Sequence, residues 1–109
     1  MTRLPDPPKM YNEFMEKFPA LGDAWQRTSE AGRTGSLDAR TMQLLKIAIA
    51  AGSMRQGAVH SGVRKAVALG ISREEIEQII PIVAGTMGFP TAVAIWSWMR
   101  DELDASTKK

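Results

Sequence analysis

The sequence predicts an all-α domain of about six helices. Three observations carry that reading. Apolar residues recur at helical spacing from Met10 to Leu103. No stretch alternates apolar and polar residues, and no Asn-Gly pair marks a hairpin, so strands are not expected. The 109 residues make one domain, large enough to bury a modest core.

The elements follow in order. Residues 1–9 hold Pro5, Pro7 and Pro8 and read as an extended arm. Met10 to Phe18 forms a first helix, stopped by Pro19. Leu21 to about Ala31 forms a second, with Leu21, Ala24, Trp25 and Thr28 on one side. Asp38 offers an N-cap oxygen to a third helix that ends near Gly52. Leu44, Leu45, Ile47, Ala48, Ile49, Ala50 and Ala51 surround that helix, which predicts a buried, central element. The fourth helix spans about Arg55 to Leu69, with Gly70 as its left-handed stop. Its apolar arc is Ala58, Val59, Gly62, Val63, Ala66 and Leu69.

Ser72-Arg-Glu-Glu75 is a capping box that opens the fifth helix. Its stripe is Ile76, Ile79, Ile80, Val83 and Met87, with Gly88 at the end and Pro81 expected to bend it and free the Glu77 carbonyl. Phe89-Pro90 starts the sixth, whose inner face is Ala92, Ile95, Trp96, Met99 and Leu103. Residues 104–109 read as a tail, so the whole of 1–109 is one domain. Trp98, Val93, Ala94 and Ile82 fall outside the inner stripes. That second apolar surface predicts a homo-oligomer; the alternative half-buries Trp98 under the arm.

Composition excludes several functions. There is no cysteine, so a disulfide framework, a thiolate zinc site and a thiol nucleophile are all ruled out. His60 is the single histidine, which rules out a zinc site of two or three imidazoles from one chain. No metal and no cofactor is expected. The net charge of +2 comes from scattered Lys and Arg rather than a basic stripe, so no nucleic acid is expected as partner. No apolar run is long enough for a membrane span, and the N-terminal residues carry no signal-peptide core; a cytoplasmic protein is the expectation.

The chemistry-bearing residues gather on the fourth helix. Gln56, His60 and Arg64 share a face at i, i+4 spacing. An imidazole at the rim of an apolar arc can move protons, and a guanidinium can grip a carboxylate by two hydrogen bonds. The plainer reading is a histidine hydrogen-bonded in the core or at a subunit contact. Arg55, with Arg27, Arg33 and Arg40, could add an anion contact. Ser61 points about 100° away from His60 and is a poor triad partner. The methionines read as gap-filling core.

The order Leu37-Asp-Ala-Arg-Thr41, Leu44-Leu-Lys-Ile-Ala-Ile-Ala50, Gly57-Ala-Val-His-Ser61, Ala66-Val-Ala-Leu-Gly70, Ser72-Arg-Glu-Glu-Ile76 and Gly88-Phe-Pro-Thr-Ala92 resembles the carboxymuconolactone decarboxylase family and its alkylhydroperoxidase D-like relatives. The similarity covers about residues 20–100. It implies the helical bundle of that group, assembled as homotrimers or homohexamers. It also implies two different activities. The peroxidase branch carries Cys-x-x-Cys-x-x-x-His, whose thiols fall here at Ser53 and Gln56; its relay glutamate falls near Thr41 or Gln43. Without a cysteine thiol a thiol peroxidase cannot run.

The decarboxylase branch needs no cysteine. It is similar in carrying a histidine at the His60 position, and often a glutamate one turn earlier, where this chain has Gln56. The resemblance therefore implies a carboxy-lyase or isomerase for a small organic acid or lactone. His60 is the expected proton donor and Gln56 its orienter; Arg64 or Arg55 would hold the anion, and Trp96 or Trp25 would form an apolar wall. The alternative is a catalytically silent, oligomeric small-molecule binder.

Overall fold

Helix boundaries in the computed structural model, which describes residues 9–107, follow the caps written in the sequence. The elements are α1 (Lys9–Lys17), α2 (Pro19–Arg33), α3 (Ala39–Gly52), α4 (Gln56–Ala68), α5 (Arg73–Glu77), α6 (Ile79–Met87) and α7 (Phe89–Thr107). There is no strand among the described residues, and the all-α class stands. Lys9, expected in the arm, already begins α1; residues 1–8 of that arm and residues 108–109 of the tail lie outside the described residues. From Asp104 to Thr107 the expected tail is a continuation of α7.

Pro19 ends α1 and occupies the first turn of α2, where its missing N–H costs nothing. Asp38 caps α3 by accepting from the Thr41 N–H at 2.7 Å. Ser72 and Glu75 form the full capping box at α5. Pro81 does more than bend the fifth helix. It leaves the Glu77 carbonyl without its i+4 donor, and the helix divides at Gln78 into α5 and α6.

α3 and α4 end in the same way, on different residues. Each closes with a six-to-one bond, Arg55 N–H to Ala50 O and Ile71 N–H to Ala66 O, with a five-to-two bond inside it. This motif needs a left-handed residue. α4 uses Gly70 at φ +83°, as expected. α3 uses Met54 at φ 55°, so the left-handed stop lies two residues beyond Gly52.

The core lies between α3, α4, α6 and α7. α4 contributes Val59, Val63 and Ala66; α7 contributes Ala92, Ile95, Met99 and Leu103; Ile76, Ile79 and Val83 cover them from α5 and α6. The close approach of α3 to α4 rests on Gly62, where a Cβ would stand 2.9 Å from Ile47 Cγ1. Gln43 fixes the same crossing by donating to the Gly62 carbonyl at 2.9 Å, and it is the only buried polar residue among those described.

Some expectations about faces need correction. α3 is buried on one side only: Ile47, Ala50 and Ala51 are inside, but Leu45 and Ile49 are exposed because α2 stands off from them. Ala58, Leu69 and Met87 are likewise exposed rather than in the core. Trp98 is half-buried against the core instead of facing outward, while Ile82 and Val93 are exposed as expected. No residue of α1 or α2 is buried.

Candidate proton-transfer site

His60 sits in the middle of α4, between the buried Val59 and Val63, which hold its backbone firmly against α7. Its Nδ1 lies 2.6 Å from Oε2 of Glu102. Glu102 is pinned in turn by its neighbours on α7, because Met99 and Leu103 are both fully inside. The carboxylate and the ring side chain are 17% and 20% exposed, so the pair is shielded without being sealed. A carboxylate facing Nδ1 favours the proton on that nitrogen, which makes Nε2 the acceptor atom of the neutral ring.

Arg64, one turn on, donates from a guanidinium nitrogen to the same Oε2 at 3.0 Å. Gln56, one turn back, brings its amide nitrogen 3.4 Å from His60 Nε2, a long contact that orients the ring weakly. The structure therefore brings together three of the expected residues, Gln56, His60 and Arg64, around a fourth that sequence reasoning missed. The signal for Glu102 was available. It is a carboxylate at i+3 from Met99 and i+7 from Ile95, so it sits on the apolar stripe of α7 where a solvated charge has no reason to be.

Arg55 is the N-cap residue of α4, makes no capping hydrogen bond with its side chain, and is exposed. Trp96 is not brought to His60. It stands about 120° around α7 from Glu102 and lines an apolar hollow of about 320 Å³ with Ile80, Pro81, Phe89 and Val93. Trp25 lies elsewhere again, in an open cleft of about 910 Å³ between α2 and α3 with Arg33, Leu37, Lys46 and Ile49. Among the described residues, no three His, Asp or Glu side chains gather as a metal site. No helix among them is long and apolar enough to cross a membrane.

The model of the carboxymuconolactone decarboxylase family matches residues 19–101 of the chain. The chain belongs to that family. It is also 34% identical over 77 residues to an uncharacterised protein of Methanocaldococcus jannaschii, a span of 69% of this chain and 74% of that one. No solved structure matches it. As a carboxymuconolactone decarboxylase family member it is cysteine-free. Ser53, at one expected thiol position, spends its hydroxyl on the Ile49 carbonyl at 2.8 Å. Gln43, near the expected relay position, is committed to Gly62. Glu102, the carboxylate that reaches His60, lies one residue beyond the family match.

Proposed function

We propose that the chain is a cofactor-free lyase or isomerase for a small organic acid or lactone, with His60 as general acid and base. The observation that carries this reading is the 2.6 Å pairing of His60 Nδ1 with Glu102, a carboxylate on another helix that fixes the ring and leaves Nε2 to work. For a lactone acid the step balances simply. The bond to the carboxylate breaks, CO₂ leaves, the electron pair passes into the ring system, and His60 Nε2 delivers a proton to carbon. Arg64 holds the carboxylate through donors that Glu102 does not use. The test is a screen of lactone acids for CO₂ release. Turnover is expected to fall at least 100-fold in His60→Gln and to weaken in KM for Arg64→Ala. Turnover that survives both changes overturns the assignment.

The second reading is a binder of the same fold without turnover. It is favoured by one observation: neither of the two hollows just described is lined by His60. Peroxide consumption with a dithiol reductant is not expected under either reading, because no thiolate can form.

We further propose that the chain works as a homo-oligomer, a trimer or hexamer. The α1–α2 hairpin supports this, since Phe14, Phe18, Leu21 and Trp25 are all about half exposed and the hairpin buries nothing of its own.

A further inference from the structure

One oxygen of Glu102 serves two nitrogen partners. Oε2 is 2.6 Å from His60 Nδ1 and 3.0 Å from a nitrogen of Arg64. The three side chains are unequal in freedom. His60 and Glu102 are mostly covered, whereas Arg64 is 49% exposed and presents the rest of its five-donor fork to solvent. Arg64 is therefore the member that an incoming ligand can engage.

We propose that an organic carboxylate arms His60 by engaging Arg64 and releasing Glu102 to the imidazole alone. The inference rests on the acid–base reading above and deepens it by naming what loads the proton. While Arg64 lies on Glu102, its positive charge offsets the carboxylate and repels an imidazolium. A ligand carboxylate on the guanidinium cancels that charge, and the full field of Glu102 falls on the ring. The proton affinity of His60 rises when substrate arrives. In a decarboxylation the anchoring charge leaves as CO₂, Arg64 returns to Glu102, and the ring is reset to reload from solvent. Atoms and electrons balance: the carboxylate departs as CO₂, and the pair from the broken C–C bond ends in the new C–H bond made with the His60 proton.

Among the described residues, the ion pairs of Glu102 are with His60 and Arg64, and Arg55 at the N-cap of α4 is exposed and about 140° around the helix from His60. On α4, Lys65 is exposed and turned about 140° from His60. On α7, Asp101 and Arg100 are exposed at about 100° and 160° from Glu102, and Asp104 is bonded to Arg73. On α5, Glu77 pairs with Arg73, Glu75 pairs with Arg40 of α3, and Glu74 is exposed. Lys46 of α3 lines the cleft toward α2, and Gln43 is neutral.

The single histidine makes the test direct, because imidazole resonances in NMR report His60 alone. The full chain is titrated with and without benzoate, with benzamide as the uncharged control. Benzoate is expected to raise the His60 midpoint by about threefold or more in proton affinity, the scale of a partly screened charge at this range. Benzamide should leave it unchanged. In Arg64→Ala the midpoint should already lie above wild type and no longer respond to benzoate. In Glu102→Gln it should fall. Arg64→Lys keeps the charge without the fork, so its midpoint should stay near wild type while benzoate binds more weakly. By reciprocity, benzoate binds the wild type more tightly at acid pH by the same factor.

An unchanged midpoint in Arg64→Ala overturns the shared-carboxylate arrangement. A missing benzoate response in wild type, or one that survives in Arg64→Ala, overturns carboxylate capture. These readouts need no turnover, so failure of the lyase reading in the CO₂ screen is separate from failure here.

Discussion

Glu102 of α7 and His60 of α4 lie 42 positions apart in sequence and meet at 2.6 Å, carboxylate oxygen to ring Nδ1. The contact joins two helices that pack closely against each other in the core, so the rigidity of the bundle sets its geometry. In the proposed acid–base role, the direction of Nε2 is set by a carboxylate that acts from the other side of the ring.

The first expected outcome follows from that dependence. Glu102→Gln keeps the shape and loses the charge that holds the Nδ1 proton. Any His60-dependent turnover should drop about 10–100-fold, the usual cost of losing an orienting partner. The far-ultraviolet circular dichroism spectrum should be unchanged. Equal activity in the variant would show that Glu102 is only a helix-to-helix link.

Met54 gives the second. It holds a left-handed conformation at the end of α3 that glycine adopts without strain, and its twin position at the end of α4 is Gly70. A non-glycine residue in this region costs about 1–2 kcal/mol, part of which glycine returns as extra freedom in the unfolded chain. Met54→Gly should therefore stabilise the fold by about 0.5–1 kcal/mol, visible as a Tm several degrees higher. A lower Tm would mean that the half-exposed Met54 side chain makes contacts worth more than the strain.

The legible part of this protein is the part governed by local chemistry. Asp38, Ser72, Gly70 and Pro19 announce where helices begin and end, and the structure uses all four. The triad Gln56, His60, Arg64 was also readable, because i, i+4 spacing places residues on one face whatever the helix packs against. Glu102 stands out as a charge on the apolar stripe of α7, but its pairing with His60 was not readable, because that partner comes from a distant helix. Only the crossing of α4 and α7 shows that the polar edge of one stripe faces the polar edge of the other. The standing-off of α2 from α3 was illegible for a similar reason. An apolar face states that it must be covered, but not whether the same chain covers it.

Gly62 carries the third expectation. Its missing Cβ lets α4 approach Ile47, and an alanine there would put carbon 2.9 Å from Ile47 Cγ1 and 3.8 Å from the Gln43 amide. Alanine gains roughly 1 kcal/mol of helix propensity over glycine, while overpacking a tight core costs about 1–3 kcal/mol. Cγ1 is near the root of a branched side chain that is fully buried, so the neighbour has little room to give. The net is destabilisation by about 1 kcal/mol in urea melts. Gly57→Ala is the control, since nothing lies within 4 Å of that position; it should stabilise instead.

The exposed hairpin supplies the fourth. If a second copy covers α1 and α2, then Phe14→Ser with Trp25→Ser should shift the chain toward smaller species in sedimentation velocity, at concentrations where wild type is assembled. Both residues are about half exposed in the single chain, so the folded monomer loses little. The helical signal should hold while assembly weakens. An unchanged sedimentation coefficient would overturn the α1–α2 hairpin as the self-association surface and leave other exposed apolar residues, such as Ile82 and Val93, to be tested in its place.

Acid sensitivity gives the last. Hydrogen bonding to Arg40, then to Ser72, holds the Glu75 carboxyl below its ordinary value. Asp38 is held low as well, by the Thr41 N–H it caps. A carboxyl whose folded pKa is depressed binds fewer protons folded than unfolded over the window between the two values. Its contribution is whole above the ordinary carboxylate range and drains away as pH falls through the folded value. Arg40→Ala removes the largest cause acting on Glu75 and leaves the Asp38 cap in place. Wild type should therefore be the more stable protein near pH 7. The gap between the two should close as the pH drops below about 4. High salt should narrow the gap at neutral pH, because the pair is substantially solvated. A gap that stays constant from pH 7 to pH 3 would assign the effect of Arg40 to packing along its aliphatic stem rather than to its charge.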